Sequence, residues 1–297
     1  MSVLSIVLIA LAAVAIAFII VWVRQMPSAG GFAFPSAVRL GIGFVTDFLD
    51  TLGIGSFAPT TSLFKFFKLV PDEKIPGTLN IGHTLPTVAE ALIYTTVIGV
   101  DPLTMVALIV ASVVGAWLGA GLVARWPRVY VQIGMGGALA VAAVLFIMAN
   151  LKLVPAGGTA LGLSGGLLVL AIVINFCLGA LMTIGIGLYA PCLIMISLLG
   201  MNPRAAFPIM MGSCAFLMPI ASVRFMRFSA YDLKAALGLT IGGIPGVLIA
   251  AFIVKSLPLE AVRWLVVVVV IYAAFTMLRS AYAERGAIPG EAAEVHG

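Results

Sequence analysis

Five polar residues recur at helical spacing inside one apolar stretch. Asn80, His83, Thr87, Glu90 and Tyr94 are separated by 3, 4, 3 and 4 positions. A period of 3.6 stacks them into a single stripe. An imidazole and a carboxylate within an apolar span are costly and usually face a cavity or a partner. His83 and Glu90, two turns apart, are therefore candidates for binding a proton. The competing reading is structural: interhelical hydrogen bonds, with Asn80 and His83 near a membrane surface. Asp47 and Asp50, three residues apart, lie near one helix face. They could bind a proton or Na⁺. Equally, they could pair with Lys65 or Lys68, or cap a turn.

A heptapeptide occurs twice. Gly53-Ile54-Gly55-Ser56-Phe57-Ala58-Pro59 and Gly185-Ile186-Gly187-Leu188-Tyr189-Ala190-Pro191 share Gly-Ile-Gly-x-x-Ala-Pro, 132 positions apart. Both lie in apolar surroundings. Glycine weakens a helix and proline removes a donor, so each copy should break one. Deep in a membrane, such a break survives only inside protein or along a wet cavity. The helices restarting near Ser56 and Leu188 would aim their N-termini at the membrane centre. Free N–H groups and about half a positive charge of dipole make such ends anion sites. Gly53, Gly55, Gly185 and Gly187 let the backbone approach a ligand. Ser56, Thr60 and Tyr189 add hydroxyl donors. Asn80, and Ser213 in the corresponding stretch of the second half, complete the candidate substrate contacts. The bland alternative is that the glycines only permit tight packing. A carboxylate beside an anion site is unfavourable unless a proton neutralises it, which speaks against direct ligation by Asp47 or Asp50.

The elements that must position these groups are helices in a membrane. Of 297 residues, 63% are hydrophobic and 9% charged, with mean hydropathy +1.23. That excludes a soluble globular domain, and the lack of period-2 alternation excludes a β-barrel. The net charge of +5 reads as loop charge, not a nucleic-acid footprint. Cys177, Cys192 and Cys214 all lie in apolar stretches, which fits reduced, buried thiols. Two histidines are too few for a histidine-built metal centre. No catalytic residues, metal or cofactor are expected.

In chain order, 1–37 holds an N-terminal membrane helix (Val3–Val23) and a loop. Residues 38–150 hold the first break and spans at Thr78–Val100, Leu103–Ala124 and Val129–Asn150. A Gly/Pro linker occupies 151–166. Residues 167–279 hold the second break and spans at Ala205–Val223, Leu233–Val254 and Ala261–Leu278. A polar tail fills 280–297.

Pro71 and Pro76 match Pro203 and Pro208 at offset 132, and Gly115 and Pro127 match Gly246 and Pro258 at 131. The two long segments thus read as copies of one unit. Loop charge indicates how they are arranged. If each broken element spans fully, the 16 Lys and Arg divide eight and eight. If each is a re-entrant hairpin, only Lys152, Arg204, Lys255 and Arg263 fall outside, four against twelve. The hairpin arrangement gives each unit an odd number of crossings and so inverts the two. The expected fold is an all-α polytopic membrane protein. It has two inverted repeats, each a broken, re-entrant helical hairpin plus three transmembrane helices, after one extra N-terminal helix. The N-terminus is expected outside and the C-terminus in the cytoplasm. Lys65, Lys68, Arg224 and Arg227 then either set topology or draw anions to the inner mouth.

The Gly-x-Gly break, Gly77-Thr78-Leu79-Asn80, Gly115-Ala116-Trp117-Leu118-Gly119-Ala120 and Gly242-Gly243-Ile244-Pro245-Gly246 together resemble the TauE/SafE family of sulfite and organosulfonate exporters. The resemblance covers nearly all of the chain after the first helix. It implies a carrier of small sulfur anions such as sulfite, sulfoacetate or thiosulfate in the cytoplasmic or inner membrane, often exporting them. Ser56-Phe57-Ala58-Pro59 departs from the commoner pattern, which carries further glycines there. The expected partners are a small sulfur anion and the lipid bilayer, with a homodimer allowed and no nucleic acid. A second function class is membrane-embedded thiol–disulfide electron transfer through Cys192, since Ala190-Pro191-Cys192 has the Pro-Cys turn of such proteins. The repeat supplies Thr60 where a partner thiol should stand.

Overall fold

A computed structural model describes residues 3–26, 31–153, 157–185, 187–252 and 259–286. Regular structure among them is helical, and the single β contact is an isolated bridge between Ala160 and Met201. The helices are α1 (Val3–Gln25), α2 (Ala37–Thr51), α3 (Phe57–Phe67), α4 (Ile75–Val97), α5 (Pro102–Val123), α6 (Arg128–Asn150), α7 (Gly165–Met182), α8 (Tyr189–Leu198), α9 (Ala206–Arg227), α10 (Leu233–Phe252) and α11 (Leu259–Gly286). Ile186, Lys255, Pro258 and residues 287–297 of the expected tail lie outside the described residues. Within them the expected tail is still helix, because α11 runs on to Gly286.

Among the described residues, six helices are long and apolar enough to cross a membrane: α1, α5, α6, α7, α9 with its leading turn, and α10. The expected list of seven spans differed from this. It included α4 and left out α7, while the span expected at Ala261–Leu278 falls in α11, part of which lies outside the described side chains. In α4 the polar stripe dilutes apolarity over 23 residues. In α7 no proline or paired glycine interrupts 18 residues, a length of about 27 Å. The partners of the breaks are short: α3 has 11 residues and α8 has 10. Outward faces are aliphatic, with Ile6, Ile9 and Ile16 of α1, Val110 and Leu122 of α5, and Val169 and Val173 of α7 exposed.

Packing is reciprocal. α2 lies along α10 and α7 along α5, while α4 packs on α9 and α6 on α11. Glycines bring the first two pairs into backbone contact. A methyl group on Gly242 would strike the Leu40 carbonyl, and one on Gly246 the Phe44 carbonyl. At the other crossing, Gly115 meets the Phe176 carbonyl, Gly119 the Ala180 carbonyl, and Gly179 the Ser112 carbonyl. Phe44 and Phe176 are 132 positions apart. The close packing expected of Gly115, Gly119 and Gly246 is thus seen.

Contacts gather the helix ends into two groups. In one, Arg39 near the start of α2 packs on Gly238 near the start of α10. Thr78 Oγ1 near the start of α4 accepts from the Asp232 N–H just before α10. Lys65 near the end of α3 bonds Asp72, in the 3₁₀ turn that opens α4, at 2.7 Å. In the other group, Asp101 before α5 meets the loop before α7, through its N–H to the Leu161 carbonyl at 2.8 Å. Gly158 N–H reaches the Met201 carbonyl, past the end of α8, at 3.0 Å. α4 carries Pro86 in its interior, which deprives the Gly82 carbonyl of its helical donor. Thr240 Oγ1 of α10 donates to that carbonyl at 2.6 Å.

A candidate site where two helix breaks meet

Both Gly-Ile-Gly segments do interrupt helix. α2 ends in a left-handed glycine cap: Gly53 has φ +83°, its N–H bonds the Asp50 carbonyl at 2.8 Å, and Ile54 N–H bonds the Leu49 carbonyl at 3.1 Å. Gly55 also takes positive φ, +94°. In the second copy Gly185 has φ +103° and its N–H bonds the Met182 carbonyl at 3.0 Å. α3 and α8 then restart at Phe57 and Tyr189. The restarts face each other. A Cβ on Gly187 would lie 3.9 Å from Phe57 Cβ, and one on Gly55 would lie 3.9 Å from Tyr189 Cβ.

The polar stripe of α4 is buried against this junction. His83 Nδ1 is 2.7 Å from Asp47 Oδ1, and its Nε2 is 3.0 Å from Thr60 Oγ1. Glu90 Oε2 accepts from the Tyr189 hydroxyl at 2.7 Å, and Oε1 lies 2.8 Å from Thr51 Oγ1. Tyr94 donates its hydroxyl to the Thr51 carbonyl at 3.0 Å and stacks on Phe207. Ser56 reaches the Asp50 carboxylate with its backbone N–H and its hydroxyl. One acidic side chain thus stands at each restart, Asp50 at α3 and Glu90 at α8. His83, Asp47, Asp50, Glu90, Thr51 and Thr60 are all buried. Asp47 Oδ2 and Asp50 Oδ1 have no hydrogen-bond partner.

Asp47 and Asp50 do not pair with Lys65 or Lys68. Lys65 instead bonds Asp72, which also accepts from Gln132 Nε2 at 2.9 Å. His83 is fully buried within the protein. Asn80 is buried too, but its amide turns to the Pro76 carbonyl at 2.9 Å. Ser213 takes a hydrogen bond from Asn175 Nδ2 at 3.2 Å, and that amide also binds the Leu108 carbonyl. Neither Asn80 nor Ser213 lines the space between the breaks.

That space is lined on one side by Asp50, Ser56 and Thr87, and on the other by Met182, Cys214 and Met218. Its volume is about 10 Å³, room for a water at most. A larger cavity of about 660 Å³ runs from Gly53 and Ile54 between α6 and α8 to Lys152 and Pro203. Sequence reasoning passed over Thr51 and the sulfur-bearing wall. Thr51 lies four residues after Asp47, on the same face. Met182 stands 132 positions after Asp50, in the repeat's own register. Cys177, Cys192 and Cys214 are free thiols, and Cys214 Sγ sits 3.5 Å from Met182 Sδ.

Apolar helices long enough to span, with polar groups turned inward onto two helix breaks, define a multi-pass membrane protein. Sequence comparison adds one likeness: the sulfite exporter TauE/SafE family model matches residues 151–295, from the linker through α11. This bears out the resemblance over the second half, and the family name points to export of a sulfite-type anion. No curated protein and no solved structure matches the chain. Asp47, Asp50, His83 and Glu90 all lie in the half outside the family match.

Proposed function

We propose that the protein is a secondary transporter. It moves a small sulfur-containing anion (sulfite, thiosulfate or an organosulfonate such as sulfoacetate) across the cytoplasmic membrane, in the export direction. The observation that carries this reading is the meeting of two helix N-termini at buried glycine breaks. Each end offers N–H groups and dipole charge to an anion without a basic side chain. Such ends, brought together from two units, form substrate sites in carriers. Gly53, Gly55, Ser56, Gly185, Gly187 and Tyr189 contact the anion. Thr60, with Asp47, Asp50, His83 and Glu90, belongs to the proton-handling shell around it.

The two units are inverted, and each break is the tip of a re-entrant hairpin. Support comes from the grouped helix ends. The start of α2, the end of α3 and the start of α4 are tied into one group; the start of α7 and the end of α8 are tied into the other. The N-terminus lies outside and the C-terminus inside. A closed space between the breaks, and a large cavity that starts at the neighbouring Gly53 and Ile54, are the kind of arrangement alternating access uses. The test is thermal shift and liposome flux with sulfite, thiosulfate, sulfoacetate, taurine, sulfate and simple carboxylates. Stabilisation and flux should be confined to sulfur anions. A protein responding equally to carboxylates, or to nothing, defeats the reading. Cys192→Ser should leave flux intact, whereas a thiol relay would lose all function.

A further inference from the structure

Glu90 accepts one hydrogen bond, and its second contact leaves room for a hydrogen of its own. The Tyr189 hydroxyl donates to Oε2. Oε1 sits 2.8 Å from Thr51 Oγ1, and that same hydroxyl sits 2.8 Å from the Asp47 carbonyl oxygen. A threonine hydroxyl has one hydrogen and two lone pairs. A carbonyl has no hydrogen to offer, so when the Thr51 hydrogen goes to Asp47 a hydroxyl lone pair is left facing Glu90. The contact with Oε1 then closes through a hydrogen on Glu90 itself. An ionised Glu90 would leave one hydrogen between two oxygens at equal distance.

Charge balance points the same way. The ionisable groups around Glu90 are Asp47 and Asp50 from α2, His83 and Tyr94 from α4, Tyr189 from α8 and Cys214 from α9. Among the described residues no lysine or arginine joins them, since the described ion pairs of Lys65 and Arg128 go to Asp72 and Glu73. Three buried carboxyl groups face one imidazole, and uncompensated buried charge is costly. Tyr189 also opens α8, whose N-terminus is one of the two anion-facing ends. An ionised Glu90 one hydrogen bond from that end would repel an arriving anion; a neutral one does not.

We propose that Glu90 carries a proton at Oε1 in this closed arrangement, and that proton and anion are bound together. Thr51 and Tyr189 are positioning residues, one from each half of the chain. The proton's location stands on the geometry alone; its linkage to the anion rests on the carrier reading. Because coupling is reciprocal, the anion should bind more tightly as pH falls, and the two should travel in the same direction.

The test uses the full chain. Infrared difference spectra at neutral pH should show an un-ionised carboxyl band that Glu90→Gln removes. Thr51→Val, which takes away the acceptor, should shift that band to higher frequency. Glutamine preserves both contacts, its carbonyl accepting from Tyr189 and its amide donating to Thr51, so the variant should fold. Above the pH at which the free protein's Glu90 band fades, thiosulfate should bind up to about tenfold more tightly per unit of falling pH, the limit for one linked proton, with the slope levelling off below that pH. That slope should vanish in Glu90→Gln. A band that survives Glu90→Gln overturns the proton's location. Thiosulfate binding whose pH slope is flat, or unchanged in Glu90→Gln, overturns the linkage. Loss of the band with no anion effect at any pH leaves the proton on Glu90 and defeats the carrier reading instead.

Discussion

Gly243 lacks a side chain because Asp47 fills its place. A methyl group there would overlap Asp47 Oδ2 and press on Pro86. Gly243→Ala should therefore push Asp47 off His83 and cost about 1–3 kcal/mol, read as a lowered unfolding midpoint in detergent. His83→Leu should cost more, about 3–5 kcal/mol, because it leaves Asp47 buried without its partner. Asp47→Asn added to His83→Leu should recover part of that loss. If the double variant is no more stable than the single, the pair carries no buried-charge penalty. The α4 stripe was legible because spacing of 3 and 4 within an apolar run admits few other readings. Its partners were not. Asp47, Thr51, Thr60 and Tyr189 reach α4 only through tertiary packing, and Glu90 meets Tyr189 across 99 positions. Asn80 and Ser213 read as site residues by position, but the Asn80 amide nitrogen turns to the Pro76 carbonyl of its own helix and Ser213 accepts from the Asn175 amide.

Among the elements, the breaks were the most legible feature, since two glycines and a proline within seven apolar residues leave helix little chance. Helix extent was less so. α7 reaches spanning length and α11 continues through Arg279 to Gly286, because nothing in those segments stops a helix. The crossings make a sharp prediction. Gly115→Ala and Gly246→Ala should each destabilise, since the added methyl meets the Phe176 or Phe44 carbonyl, backbone that cannot step aside. Gly41→Ala in α2 and Gly137→Ala in α6 meet nothing within 4 Å. They should be neutral or gain about 0.5–1 kcal/mol from helix propensity. Equal effects at all four positions, by thermal melts, would mean that backbone contact at the crossings does not hold the helices. The Pro86 break offers a second check. Thr240→Val leaves the Gly82 carbonyl buried without a donor and should cost about 1–3 kcal/mol.

At the scale of the whole molecule, the two halves touch at the restarts of α3 and α8, so a cycle in which the halves rearrange around the site must move one restart past the other. Phe57 Cβ and a Cβ built on Gly187 lie 3.9 Å apart, inside the roughly 3.5–4.5 Å range of a disulfide. Phe57→Cys with Gly187→Cys, on a background with Cys177→Ser, Cys192→Ser and Cys214→Ser, should cross-link under mild oxidation. The oxidised protein should lose anion flux in liposomes, and a reductant should restore it. Each single variant should show no such redox response, which separates cross-linking from damage to the site. Full flux with the bridge intact would mean that the two restarts stay together throughout transport. The moving part would then lie elsewhere, along the cavity between α6 and α8, and the site would be gated from one side in place of the two halves rearranging.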